Sequence, residues 1–414
     1  MRAFLGFDFR DGSMSGLNLP YLMYFTSLSN FYNGFIALAV LIFVLINIKK
    51  DKIILPRSLK ILALTATVGV AVTFFVTVTF LVFVISDLEY LFAREILFLH
   101  VINPLVSIAT YIFLLRGRKL EKRYVCIGFF PLFLYSINYS SFVINGIWND
   151  FYGFTFGGNY WMISICLPAV LGIGLGFSYL FNFLNNKIYY PHKVHALILL
   201  GGSGTRLGEE TPKQFLKKKD IPLYIYAVKN YASLVEVSDI SLVAKEEYFE
   251  MINEDIKKYK LKKVKNLIKG GKARANSSFN GVEFLAKKYN EKDYVLIADA
   301  LRVNTSEDII LSNIECLRKY NAVLTAIEGK KDGARVDTAH NKNDIPYLAQ
   351  TPQSFRLGYI YSLYQNIEWE AKIEQITDEI KLVELNNDDY TIVLGNDKNY
   401  KITYKEDLHR FLKE

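Results

Sequence analysis

The long apolar runs in the first half constrain this chain more than any other feature. Five are readable, at roughly 20–47, 59–86, 96–115, 124–147 and 160–184. An apolar helix of about 20 residues, rising 1.5 Å per residue, matches the hydrocarbon thickness of a bilayer. Each run is therefore read as a membrane-spanning helix. The first run starts too late, is too long and lacks the basic flank of a cleaved signal peptide. The fourth is the most polar, carrying Ser136, Asn138, Ser140, Ser141 and Asn145.

Charge is distributed to match. Residues 1–190 hold 14 Lys/Arg and 8 Asp/Glu, whereas 191–414 hold 35 and 33. The second half has ordinary globular chemistry, and the whole excludes a disordered, collagen-like or disulfide-framework chain. Cys126, Cys166 and Cys316 form no CxxC pair and read as small buried apolar residues. The loop after the first run carries Lys49, Lys50, Lys52, Arg57 and Lys60, and the loop after the third carries Arg116, Arg118, Lys119, Lys122 and Arg123. Between them, Asp87, Glu89 and Glu95 face only Arg94, and the loop after the fourth run holds only Asp150. Lys/Arg excess marks the cytoplasmic side. The expected topology puts the N-terminus outside and the second half in the cytoplasm, as a multi-pass protein of the cell membrane. The net charge of +8 sits mainly in these short loops and is no sign of nucleic-acid binding.

His100, Asn103 and Pro104 lie together in the third run, as a kinked, hydrogen-bonding spot between helices. The small and hydroxyl residues of YFTSLSN, 24–30, suit close helix packing. With the His/Pro helix, this segment weakly resembles a poorly characterised bacterial multi-pass family, from which no function is carried. The Asp-rich DGxxAR…GxxxDxxxD pattern of membrane CDP-alcohol phosphotransferases is absent.

Composition changes at NNKIYYPHK, 185–193. The expected domains are a transmembrane unit at 1–186, a linker at 187–193 and a second unit at 194–414. Val194–Leu200 is an apolar run closed by glycines, as in a parallel strand buried on both faces. Further strands are expected at Ile240–Ala244, Tyr294–Ala298, Ala322–Ala326 and Thr391–Leu394, with helices such as Leu223–Leu234 and Ser277–Tyr289 between them. The alternation predicts an α/β domain with a mainly parallel sheet and ligands at the strands' carboxyl ends.

The first such end reads LLGGSGTRLGEETPKQFL. Gly201, Gly202, Ser203 and Gly204 permit a tight turn whose amides can approach phosphate oxygens. The loop is neither GxxxxGK[ST] nor GxGxxG. Arg206 and Lys213 follow, two cations hinged around a glycine loop, an arrangement suited to a triphosphate. A plain glycine turn with surface cations is the alternative for this segment alone.

Here the residues resemble the cytidylyltransferases that make CDP-methylerythritol and CDP-ribitol, whose signature runs (A/G)(A/G)xGxRxG…PKQF. The resemblance recurs in order at GGKARANSS, LIADALRV, QTPQSFR, Thr377–Asp378–Glu379 and Lys401–Ile402–Thr403. It implies a Rossmann-like nucleotidyltransferase domain behind an α-helical membrane bundle of about five helices. It further implies that an alcohol phosphate attacks the α-phosphorus of CTP and that pyrophosphate leaves. By resemblance, Arg206, Lys213 and Lys401 are catalytic, and Asp299 is the ligand of Mg²⁺ or another divalent cation. Gly201, Gly202, Ser203, Gly204, Gly270, Gly271, Ser277 and Ala300 shape the nucleotide pocket. Asp332, Thr377 and Asp378 face the acceptor, while Arg274 and Arg302 brace the pocket. The stretch 327–349 matches an arm that crosses to a second copy, which implies a homodimer.

Departures fall mostly on the acceptor side. Ala298 replaces a His, Val303 a Pro and Gly333 a Thr, Lys272 stands where an Asp is common, and an expected Arg falls at Asn343, or at Lys342 with a one-residue slip. The Gly-Gly start and QTPQSF lean toward ribitol 5-phosphate as acceptor. The alternatives are 2-C-methyl-D-erythritol 4-phosphate, as in isoprenoid synthesis, and a catalytically degenerate nucleotide-binding sensor or scaffold that controls the membrane half.

Overall fold

The structure is a computed structural model that describes residues 7–8, 13–14, 23–49, 53–81, 97–201, 212–328, 338–340, 346–366 and 376–413. The chain forms two compact units, 1–191 and 192–414.

The first unit is helical: α1 (Phe25–Ile46), α2 (Arg57–Val76), α3 (Asn103–Ala109), α4 (Phe130–Ile144) and α5 (Ile163–Tyr189). Among the described residues, four helical segments are long and apolar enough to cross a membrane: Phe25–Ile46, Arg57–Thr79, Lys122–Ile144 and Tyr160–Tyr189. This corrects the expected five. The third run appears as Phe98–Leu114, which is too short for that class. α3 is only its middle, flanked by π-helical turns at Phe98–Ile102 and Thr110–Leu114. Pro104 lies at the start of α3, where it contributes no amide to the helical ladder.

α2 is central, with 67% of its apolar window buried, against 11% for α1. α1 leaves Phe35, Leu38, Leu41 and Leu45 exposed, as a lipid-facing helix does. Gly69 brings α2 against α1, since a Cβ there would sit 3.3 Å from the Ser29 Cβ. Polar groups bond between helices: Asn30 donates to the Leu99 carbonyl at 3.1 Å, Ser107 to Asn33 at 3.0 Å, and Thr77 and His100 lie 2.7 Å apart. Asn185 of α5 donates to the Tyr111 and Leu115 carbonyls, satisfying acceptors that a helix end leaves open. Lys60, counted above as a loop charge, is buried, with its ammonium on the Gly117 carbonyl. Lys187–Tyr189 of the expected linker are still helical.

The second unit is built on β1 (Val194–Leu199), β2 (Asp239–Ala244), β3 (Val264–Lys269), β4 (Tyr294–Asp299), β5 (Ala322–Glu328), β6 (Thr338–His340), β7 (Pro346–Arg356) and β8 (Thr391–Leu394). The order is β8-β5-β7-β4-β1-β2-β3, with β6 paired to β7. β1, β2, β3 and β4 are mutually parallel, as are β5 and β8, while β7 runs antiparallel between β4 and β5. Side chains alternate along β1: Ala196 and Ile198 enter one core, Leu197 and Leu199 the other. α6 (Leu223–Ala232), α7 (Phe249–Lys258) and α9 (Glu307–Cys316) cover the first face. α8 (Arg274–Lys288), α10 (Leu357–Asn366) and α11 (Ile380–Leu385) cover the second. A closing helix, α12 (Lys405–Lys413), follows. The sheet is therefore buried on both faces, as its β-branched and Leu-rich strands require. His195 in this apolar run is buried but paired, with Nδ1 2.9 Å from Asp239 and Nε2 3.3 Å from Asp293.

Candidate active site

In a parallel α/β sheet, the loops after the strands' carboxyl ends converge, and they do so here. Leu199 of β1 is in register with Asp299 of β4, and the Ala300 amide donates to the Leu199 carbonyl at 3.1 Å. Gly201 and Asp299 thus leave adjacent strand ends. On the other side, the Gly270 amide donates to the Ala244 carbonyl at 2.8 Å, closing the loop after β3 onto β2.

Ser277, in the first turns of α8, joins the two glycine loops. Its hydroxyl accepts from the Gly271 amide at 3.0 Å and donates to the Ala273 carbonyl at 3.1 Å. A Cβ at Gly270 would sit 3.1 Å from that hydroxyl, and one at Gly201 3.4 Å. Gly271 has no room for a side chain, since its Cβ would lie 2.3 Å from the Cβ of Asn276. The amides of Gly270, Gly271 and Ala300 are committed internally. What these residues offer a base is carbonyl oxygen and bare backbone surface.

Asp299 is the electrostatic centre. Its Oδ2 is 2.9 Å from the Lys401 ammonium, and its Oδ1 is 3.5 Å from Arg274 Nε. Arg302 Nε lies 3.8 Å away, within ion-pair range but without a hydrogen bond. Burial alone would raise the Asp299 pKa. Lys401 first, then Arg274 and Arg302, outweigh that and hold the carboxyl well below the usual carboxylate range. Asp299 stays ionised among three cations, one of which, Arg274, is shared with Glu379.

The two arginines are braced from behind. Arg274 makes a two-pronged pair with Glu379, at 2.7 and 3.0 Å, and Glu379 is fully buried. Burial opposes the Arg274 charge, but Glu379 and Asp299 raise its pKa above the ordinary arginine value. Arg302 donates to the carbonyls of Asn399, at 2.6 Å, and Ala349, at 3.3 Å. Beside Glu379, burial and that neighbour's charge push the Asp378 carboxyl upward, while Thr377 is exposed.

The QTPQ segment organises the far rim. Asn399 donates from one amide nitrogen to Gln350 Oε1 at 2.9 Å and to the Thr351 carbonyl at 3.0 Å, and it accepts from Thr305 at 3.0 Å. Gln353 accepts from the Ile380 amide at 2.9 Å, fixing the turn that carries Asp378 and Glu379. Lys401 follows two residues after Asn399, and the Ile402 amide is tied to the Leu301 carbonyl. The Lys213–Phe215 turn is pinned to the end of β1 by Gln214, whose side chain donates to the Leu200 carbonyl at 2.8 Å.

Of the residues expected from sequence, Gly201, Gly270, Gly271, Ser277, Asp299, Ala300, Arg274, Arg302 and Lys401 are joined by these bonds and close approaches. Asp378 joins them through Glu379 and Gln353, and Lys213 lies in the turn held to β1. Gly202, Ser203, Gly204, Arg206 and Asp332 lie outside the described residues. Glu379, Gln350, Gln353, Asn399 and Gln214 hold the site together but were not among the expected site residues. The signal for Glu379, Gln350, Gln353 and Gln214 was their position inside the quoted motifs, whereas Asn399 lies just before the Lys401–Ile402–Thr403 segment.

Residues 194–411 match the family described as IspD, 2-C-methyl-D-erythritol 4-phosphate cytidylyltransferase. The enzyme of that name from Thermosipho melanesiensis is 34% identical over 218 residues, 52% of this chain and 94% of that protein. The one from Clostridium botulinum strain Loch Maree is 31% identical over 223 residues, again 52% and 94%. Among solved structures, a 4-diphosphocytidyl-2C-methyl-D-erythritol synthase from Anaerococcus prevotii aligns at 27% identity, covering 54% of this chain and 99% of that one, with a TM-score of 0.43.

Proposed function

Because the chain belongs to the IspD family of cytidylyltransferases through residues 194–411, we propose that it transfers CMP from CTP to 2-C-methyl-D-erythritol 4-phosphate. This replaces the lean toward ribitol 5-phosphate. The relatives from Thermosipho and Clostridium botulinum carry the methylerythritol name, whereas the Gly-Gly start and QTPQSF are only local features. The observation that carries the proposal is the cationic ring of Lys401, Arg274 and Arg302 around Asp299, at the carboxyl ends of parallel strands.

In the proposed reaction, a phosphate oxygen of the acceptor bonds to the α-phosphorus of CTP. The bond from that phosphorus to the bridging oxygen breaks, and pyrophosphate leaves with the electron pair. The protein's work is positioning and charge neutralisation. Lys401, the most accessible of the three cations, reaches the α-phosphate, while Arg206 and Lys213 meet the leaving group. Arg274 and Arg302, already committed to Glu379 and to backbone carbonyls, orient Asp299. Gly201, Gly202, Ser203, Gly204, Gly270, Gly271, Ser277 and Ala300 form the cytidine pocket, and Asp332, Thr377 and Asp378 the acceptor side. Asp299 offers one carboxylate at this point. That fits Mg²⁺, which binds through one or two carboxylates and takes its other ligands from phosphate and water. When bound, the ion neutralises triphosphate charge.

The first half, 1–186, is proposed as the membrane tether, with the catalytic half on the cytoplasmic side, as the basic loops suggest. The 327–349 arm supports a homodimer by resemblance alone. Purified full-length protein with CTP, Mg²⁺ and either acceptor tests the reading. Pyrophosphate release is expected with 2-C-methyl-D-erythritol 4-phosphate. Release only with ribitol 5-phosphate would return the earlier acceptor, and CTP binding without turnover on either would favour the sensor reading.

A further inference from the structure

The second unit is nearly balanced in charge, but the fold segregates that charge. Residues 257–272 contain eight lysines and no acidic residue. They form the end of α7, the turn after it and β3, the edge strand of the sheet. Lys257, Lys258, Lys260 and Lys262 are exposed. Tertiary structure then adds a second basic segment. The Tyr259 hydroxyl donates to the Asp220 carbonyl at 2.9 Å, holding the turn of the Lys217–Lys218 and Ile221–Pro222 ladder against this region. That turn exposes Lys217 and Lys219. The ammonium groups of Lys258 and Lys229 lie 5.2 and 5.4 Å from the Tyr259 ring centre. The nearby acids do not cancel this. Asp255 is taken by the Tyr224 hydroxyl at 2.8 Å and Glu246 pairs with Lys269 at 2.6 Å, away from the turn, leaving Asp220 and Glu254 exposed among the lysines.

The end of α7 and the turn after it, with Lys257, Lys258, Lys260 and Lys262, lie at the amino pole of the sheet, whereas Lys269 and Lys272 lie at the other end of β3. The Lys193 carbonyl accepts from Tyr294, the Val194 carbonyl from Ser238, and the Lys263 carbonyl from Ile240. The starts of β1, β2, β3 and β4 therefore lie side by side. The chain enters the unit at this pole, and the site around Asp299 is at the other, about 20 Å away along a six-residue strand.

We propose that this lysine patch docks the catalytic unit on the anionic phospholipid surface of the membrane that holds the first half. Four helices of membrane-crossing length and composition precede it in the same chain, so the lipid surface is the partner that the tether keeps within reach. Clustered lysines near such a surface are drawn to anionic headgroups over a Debye length. Docking by the amino pole leaves the nucleotide cleft open to water. The proposal rests on the reading of the first half as membrane-inserted.

The test uses the full-length chain in vesicles of phosphatidylcholine, alone or mixed with phosphatidylglycerol. Lysine acylation is followed by mass spectrometry. Lys257, Lys258, Lys260 and Lys217 should label several-fold more slowly with phosphatidylglycerol at low salt, recover at high salt, and not change in pure phosphatidylcholine. Lys398, near the opposite pole, should label alike in both. The combined substitution K217E/K219E/K258E/K260E should abolish the lipid dependence while CMP transfer continues. A chain that resists alkaline carbonate extraction yet labels equally in both vesicles overturns the proposal and leaves the membrane reading standing. A chain stripped by carbonate overturns both, because the tether is gone. Protection conferred by added RNA and not by phosphatidylglycerol would also overturn it.

Discussion

Lys401 reaches across the carboxyl ends of the strands to pair with Asp299 at 2.9 Å. Its side chain is 38% exposed, whereas the Asp299 side chain is 11% exposed. The lysine is thus the more accessible of the pair to an incoming anion. A phosphate can take over the ammonium because Arg274 and Arg302 still neutralise Asp299.

Lys401→Met should therefore separate catalysis from folding. Turnover should fall on the order of 10²–10³-fold, the range for removing one donor aimed at developing charge. The thermal midpoint should hardly move, because a partly exposed ion pair contributes little to stability. Steady-state pyrophosphate release and a melting curve of the same preparation check both. Near-normal kcat would remove Lys401 from the chemistry.

Glu379 should behave in the opposite way. It is fully buried and satisfies two nitrogens of Arg274. Glu379→Ala leaves a buried guanidinium facing no carboxylate on that side, which costs about 3–5 kcal/mol. Glu379→Gln keeps an acceptor and should cost less. A melting series that does not rank wild type above Gln above Ala would contradict the pairing.

The site's supports were harder to read in the sequence than its strands, for physical reasons. β1, β2 and β4 are buried at every position, so their apolar runs stand out. β3 is an edge strand whose buried Asn266 and Ile268 are flanked by exposed Lys265 and Lys269, and its sequence reads as a surface segment. β7 carries glutamines whose purpose appears only when Asn399 and Ile380 fold against them. Glu379 and Arg274 are far apart in the chain, and no local pattern announces a bidentate pair. In the first unit, long apolar runs were legible as helices. The break of the third run into π and α turns around Pro104 was legible only as a proline inside it.

Asn399 should act on catalysis through Lys401. Its buried amide bonds Gln350, Thr351 and Thr305, and its carbonyl takes Arg302. Asn399→Ala keeps the backbone carbonyl on Arg302 but takes the side-chain amide from Gln350, Thr351 and Thr305, at about 1–3 kcal/mol for a buried polar group, and loosens the loop that carries Lys401. The expected signature is a larger loss in kcat than in the KM for CTP, with a lowered melting temperature. A stable variant with normal kcat would mean the loop holds itself.

Two aspartates of the site should respond oppositely to neutralisation. Asp299 titrates well below the unfolded value of about 3.9 because Lys401, Arg274 and Arg302 outweigh its burial. Its stabilising contribution is complete above that unfolded value and is lost as pH falls through the folded one. Asp378 is shifted upward, first by burial and then by Glu379, against smaller opposing effects of Gln353 and Arg274. The folded state holds this proton more tightly than the unfolded chain does. Stability therefore falls as pH rises from about 4 through the raised folded value. Asp378→Asn removes that penalty and can still accept from the Lys381 amide at 3.3 Å. Melting curves from about pH 4 to about pH 7.5 should show Asp378→Asn gaining stability over wild type as pH rises, while Asp299→Asn stays below wild type by a margin that hardly changes over that range. A lower midpoint for Asp378→Asn at neutral pH would mean that its charge is stabilised by a partner beyond those named here.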